Sequence, residues 1–349
     1  MNTDLQYILE QALALLAIDS PSGYTREVSD YLLAEAENLG IPALRTQKGG
    51  VLYDLGGRDS EDAVLLEAHI DTLGAIVAEI KSDGRLRVTP IGGMNANNAE
   101  TENLRVHTRF SDTYEGTFQL ENASIHVNGK YGDTLRSFDN CEVVLDEPVS
   151  SAAEVRALGI DVGDVVCFDP RSVITSSGYI KSRFLDDKLS AAILLGYARY
   201  LKQNGVVPAR RVYLYFTVYE EVGHGGAGPV PSGVTEAISV DMGCVGKGLQ
   251  CTERQVSICA KDNSGPYNRT LTNKLIRCAE RAQIDYAVDI YYSYSSDASV
   301  AIRVGYDVRH ALIGPGVYAS HGYERTHLDG IFNTFALLRA YLEQDGEAQ

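Results

Sequence analysis

Residues 211–228, RVYLYFTVYEEVGHGGAG, run from apolar, β-branched and aromatic residues straight into two adjacent glutamates, Glu220 and Glu221, and then into a glycine-rich turn. The first part reads as a buried strand of an α/β sheet. Two carboxylates side by side at its exit repel each other and lose hydration, so either they face water or something offsets their charge. Neighbouring strand residues point to opposite faces. GHGG is the expected end of the strand that lets both glutamates serve one site.

The rest of the chain has the same rhythm on both sides of a different block. LQYILEQALALLAI and REVSDYLLAEAENLG carry apolar residues at helical spacing, and GGVLYDLGG and AVLLEAHID read as strands. From about Ala75 to Ile174 the period is mostly two, beginning with a hairpin whose tip is Asp83-Gly84. Helices and strands then alternate again: GYIKSRFL, the helix KLSAAILLGYARYLK, RRVYLYFTV, AISVDMG, the helix TNKLIRCAERAQ, VRHALIG and a helix from about Gly330. The simplest account is an α/β domain made of residues 1–74 and 175–349, interrupted by a β-rich domain over 75–174.

Composition narrows the function. With 47 acidic and 31 basic residues the formal net charge is −16, which disfavours nucleic acid or an anionic membrane as partner. The 6 cysteines are scattered without a CxxC and read as reduced residues of a cytoplasmic protein. The first residues, MNTDLQYILEQALALL, read as an amphipathic helix rather than a signal peptide, and no apolar run is long enough to span a membrane.

Acidic and imidazole side chains stand at the ends of several separate strands, where open α/β sheets bind ligands. HIDTLG places His69 and Asp71 on one strand face, so the carboxylate could hold the imidazole's tautomer. In LDDK, Asp186 and Asp187 precede a helix and either cap it or bind a ligand. VDMG adds Asp241 and SHGYERTH adds His321. Each feature alone is explained by a surface position or a cap. Together they supply the nitrogen and oxygen donors of a site for two divalent metals sharing one carboxylate. His224 reads as a loop residue, Asp297 as a helix cap or an amine contact, and Arg325 and His327 as supports of His321.

The ordered set HIDTLG, LDDK, EEVG, VDMG and SHGYERTH, with the β block inserted after the first motif, resembles metallopeptidase family 42. These are the tetrahedral glutamyl, leucyl and deblocking aminopeptidases. The resemblance implies a mixed-sheet zinc-peptidase sandwich of the phosphorylase/hydrolase-like kind with an inserted β-barrel-like domain. It implies that His69 and Asp241 bind one metal, Glu221 and His321 the other, and Asp186 both. Asp71 would orient His69, Glu220 would be the general base, and the Asp186-Asp187 peptide would be cis. Two divalent ions per subunit are expected, zinc first, with cobalt or manganese as alternatives. The implied reaction removes N-terminal residues from peptides, with water activated between the ions.

By the same resemblance the inserted domain pairs subunits, and six dimers close into a dodecamer. Lys188 stands where arginine is usual and HGYER replaces the commoner HSP-type continuation, changes that resemble a subgroup linked to osmoprotectant or small-peptide metabolism. An acidic substrate would need a cationic pocket, for which Lys188 and Arg325 are the nearby candidates. Related sites also suit a metal-dependent deacylase or amidase of an N-acylated metabolite, or a non-catalytic metal-binding assembly protein.

Overall fold

The computed structural model describes residues 3–343. Four strands at the heart of a 13-stranded mixed sheet run parallel, in the order Arg210–Thr217, Asp59–His69, Val234–Val240 and Arg309–Tyr318. Their apolar stretches are buried on both faces, as continuous hydrophobic strands require. The register Thr217 to His69 brings the carboxyl ends of those two strands level, and Val240 ends beside Ile313 while its neighbour runs on to Tyr318. The polar residues that follow those ends therefore meet at one edge of the sheet.

Helices cover the sheet. Leu185–Asn204 is buried along nearly its whole first half and packs beside Thr3–Leu16. A closed six-stranded barrel is formed by Gly74–Ile80, Leu86–Ile91, Cys141–Leu145, Thr113–Leu120, Asn103–His107 and Val165–Phe168. Its hairpin turns at Asp83-Gly84, with Gly84 at φ +85°. The next strand, Val173–Ile174, pairs with Tyr179–Ser182 of the larger sheet. The mixed sheet with an embedded barrel is the fold expected from the motifs.

Three elements go beyond the periodicity reading. Val256–Asp262 lies antiparallel to Arg309–Tyr318 and parallel to Tyr286–Ile290. The short helix Asp297–Arg303 is capped by Ser296, whose side chain accepts the Ser299 N–H. Among the described residues no helix is long and apolar enough to cross a membrane.

Candidate metal centre

The two glutamates are freed by a turn that comes before them. The strand ends at Thr217, and Tyr219 adopts φ +71°, so the chain first reverses hand ahead of Glu220 and does so again at Gly223, at φ +83°. The result is that Glu220 Oε2 lies 3.7 Å from His69 Nε2, while Glu221 Oε2 lies 3.6 Å from His321 Nε2. Gly226 serves a different contact. A Cβ at Gly226 would meet the Asp297 carbonyl oxygen at 2.0 Å, and the Gly226 N–H donates to Asp297 Oδ1 at 2.6 Å.

Neither Asp186 nor Asp187 caps a helix. Phe184, at φ +64°, holds the N-cap position without a side-chain bond, and both aspartates have non-helical backbone angles, with a cis peptide between them. Asp186 turns to the imidazoles: Oδ1 is 3.0 Å from His69 Nε2 and Oδ2 is 3.6 Å from His321 Nε2. Asp241 follows the end of its strand, and its Oδ1 accepts the Met242 N–H at 2.6 Å.

The donor atoms of His69, Asp186 and Glu221 lie within 4.8 Å of one another, as do those of His69, Asp187 and Asp241. All five residues expected as metal ligands thus converge. Asp187, which the family resemblance does not number among the ligands, is also fully buried in this cluster. Its Oδ2 accepts the His69 backbone N–H at 3.3 Å, and its Oδ1 has no partner.

Asp71 ties the cluster together. Its carboxylate accepts the Ser22 hydroxyl and, at 3.2 Å, the Glu220 backbone N–H, and lies 3.7 Å from His69 Nδ1. The nearest acceptor to that nitrogen is the Asp71 carbonyl, at 2.9 Å. Glu324 is a second tie that periodicity could not reveal. Buried 138 residues from its partner in sequence, it accepts the Asp186 N–H at 3.1 Å and the His321 N–H at 2.9 Å.

Burial holds the Glu220, Glu221 and Asp187 carboxyls well above their ordinary range, and neighbouring carboxylates add to it. Burial and the Asp186 charge push Asp241 up to about 7. Asp186 goes the other way: burial would raise it, but the hydrogen bond and charge of His69, with His321, bring it below its usual value. For His69, burial favours the neutral ring, and Asp186, Glu220 and Asp241 outweigh that and raise it. The centre holds more carboxylates than two imidazoles can balance.

Nearby protein cations are committed elsewhere. Lys48 donates to the His224, Gly225 and Ala227 carbonyls, Lys188 to the Ile18 carbonyl, and Arg183 to Glu102 and the Asn98 carbonyl. Buried oxygen and nitrogen donors without enough counter-charge are the chemistry that fits divalent cations.

The remaining candidates have other partners. His224 is exposed and stacks on Tyr219 at 5.0 Å. Arg325 covers the Tyr179 ring and is 3.4 Å from Glu253. His327 caps the last helix and bonds the Ser177 carbonyl. Asp297 is not a cap but an acceptor for the Thr217 hydroxyl and Gly226.

The sequence profile of the M42 glutamyl aminopeptidases matches residues 49–337. The putative aminopeptidase YhfE of Bacillus subtilis is 42% identical over 341 residues, covering 98% of this chain and 99% of that protein. The glutamyl aminopeptidase of Lactococcus lactis is 25% identical, covering 63% of this chain and 61% of its own. Among solved structures, a TET aminopeptidase from a marine-sediment Thaumarchaeota archaeon superposes with a TM-score of 0.88 at 20% identity, covering 98% of this chain and 97% of that one. The TET1 peptidase of Pyrococcus horikoshii, which can assemble into a tetrahedron or a large octahedral shell, gives 0.84 at 21% identity, covering 97% and 100%.

Proposed function

This chain belongs to the M42 glutamyl aminopeptidase family and is a hydrolase of the aminopeptidase class, and from that premise we propose that it removes N-terminal residues from peptides at a two-metal centre. The observation that carries the proposal is the convergence of His69, Asp186, Glu221, Asp241 and His321 in one carboxylate-rich cluster with Glu220 at its edge. His69 and Asp241 would hold one ion, Glu221 and His321 the other, and Asp186 both. Zinc suits the donors best, with cobalt or manganese as alternatives. Bound there, the ions would acidify water and polarise the scissile carbonyl.

The protein's own groups supply the rest. Glu220, whose backbone is held by Asp71, takes a proton from the attacking water and passes it to the departing amine. Asp71 orients His69 and links it to Glu220. The free substrate amine is a cation, and the surplus carboxylates give it a place. Glu220→Gln tests the assignment: metal content should stay at the wild-type level while kcat falls by about 10² to 10⁴. Turnover within threefold of wild type would remove Glu220 from the role.

The same proposal extends to assembly. Residues 75–174 are taken as the subunit-pairing domain, and Phe110, Ile125, Val127 and Leu135 in that segment are at least two-thirds exposed, at 81%, 69%, 73% and 79%. A dimer closing further into a dodecamer is the arrangement proposed, in a cytoplasm whose reducing poise suits six free cysteines. Light scattering that finds a monomer would contradict it.

A further inference from the structure

Beside Asp241, three tyrosines share one apolar cluster with Leu312, Cys244 and Leu249. Two of their hydroxyls are satisfied. Tyr267 bonds Asp262 at 2.8 Å and Ser296 at 2.7 Å, and Tyr291 bonds Ser257 at 2.6 Å. The third, Tyr294, has a buried hydroxyl with no well-aligned partner, and it approaches the Asp241 carboxylate without full bonding geometry. Its placement is firm: the Tyr294 carbonyl accepts the Asn263 N–H at 2.9 Å, and its ring packs on Tyr291 with centroids 5.3 Å apart.

A buried hydroxyl without a partner is disfavoured, and phenylalanine would fill the same space without that cost. Within this cluster the fold bonds the other two hydroxyls and leaves only the one beside Asp241 without an aligned partner. Asp241 Oδ1 accepts the Met242 N–H, and the phenol's misaligned approach to the same carboxylate lets it turn its proton to a better-placed acceptor on an incoming group. Of the groups a peptide brings to this centre, the N-terminal amine is a donor that matches the carboxylates, and the scissile carbonyl oxygen is the acceptor.

We propose that the Tyr294 hydroxyl donates a hydrogen bond to the scissile carbonyl oxygen as that oxygen gains negative charge, an inference that rests on the aminopeptidase reading above. Water adds to the carbonyl carbon, its proton travels through Glu220 to the amine, and the C–N bond breaks. Tyr294 keeps its own proton throughout, and its hydrogen bond strengthens as the charge develops.

The test compares Tyr294→Phe with Tyr291→Phe on metal-reconstituted protein. Tyr294→Phe should lower kcat by about 10²-fold, with metal content unchanged and KM moved far less. Tyr291→Phe, which removes a satisfied hydroxyl from the same cluster, should leave kcat within threefold. Calorimetry with a free-amine α-aminophosphonate, tetrahedral where the scissile carbon would be, should show at least tenfold weaker binding to Tyr294→Phe than to wild type. Equal phosphonate affinity, or a kcat within threefold of wild type, overturns the proposal. So does a parallel loss of metal, which would make Tyr294 a support of Asp241. Wild type that binds the phosphonate but cleaves no free-N-terminal peptide overturns the aminopeptidase reading instead, and the affinity ratio still decides the tyrosine.

Discussion

The Asp71 carboxylate accepts the Glu220 backbone N–H at 3.2 Å while standing 3.7 Å from the Nδ1 of His69. One buried side chain thus fixes the distance between a candidate metal ligand and the candidate base. Asp71→Asn keeps the shape but presents an N–H₂ to one of these partners. The Asp71 carbonyl still holds His69 Nδ1, but the Glu220 backbone loses its charged acceptor, and kcat should fall by about tenfold to a hundredfold, the range for an outer-shell loss at a metal site. Steady-state kinetics with parallel metal analysis checks this; unchanged kcat would leave Asp71 with a folding role alone.

Gly93 lies against the ring of His321. A Cβ there would sit 2.5 Å from His321 Nδ1, and Gly93 has no left-handed backbone angle to complicate the substitution. Gly93→Ala should therefore displace the imidazole, weaken metal retention and lower activity, while the thermal midpoint changes little. A variant that retains full metal would show that the ring moves aside freely.

Lys48 fastens the loop behind the glutamates by donating to three of its carbonyls, two of them at 3.2 and 3.3 Å. On the other side of that loop Asp297 accepts the Gly226 N–H. Lys48→Met leaves those carbonyls without their charged donor and should destabilise the protein by about 1 to 3 kcal/mol. Denaturant unfolding measures this, and a loss below about 0.5 kcal/mol would mean that water replaces the ammonium.

Asp19, just after the first helix, joins that part of the chain to the barrel. It is paired bidentately with Arg105, at 2.6 and 2.7 Å, and with His107 at 2.8 Å. Burial would raise its carboxyl, but Arg105 and His107 reverse that and bring it to about 2. A folded-state value below the unfolded one gives stability that is complete above pH of about 4 and is lost as pH falls toward 2. The contribution is about 2 kcal/mol. The stability gap between wild type and Asp19→Asn should close over that interval; a gap independent of pH would contradict the ionic pairing.

Much of this architecture could be read from the chain because the relevant signals are local. Apolar runs marked the central strands, Asp83-Gly84 marked the hairpin, and the acidic or histidine residue at each strand end marked the site. What escaped has a common cause. Glu324 and Lys48 act on backbone groups 138 and 176 or more residues away, a relation that no period encodes. The turn at Tyr219 is held by its surroundings rather than by a glycine, so residue type gave no sign of it. Asp187 was hidden because a helix start offers an aspartate a sufficient structural explanation. Val256–Asp262 is short and bounded by polar residues, and it gains its place through pairing on both sides.

In the proposed centre Asp186 serves two ions at once, while Asp241 and His321 each serve one. Titration of metal-free protein with zinc, followed by calorimetry and elemental analysis, tests it most directly. Wild type should take up two equivalents per chain, Asp241→Asn and His321→Asn one each, and Asp186→Asn neither tightly. A single equivalent in wild type, or an Asp186→Asn variant that still binds two, would contradict the account.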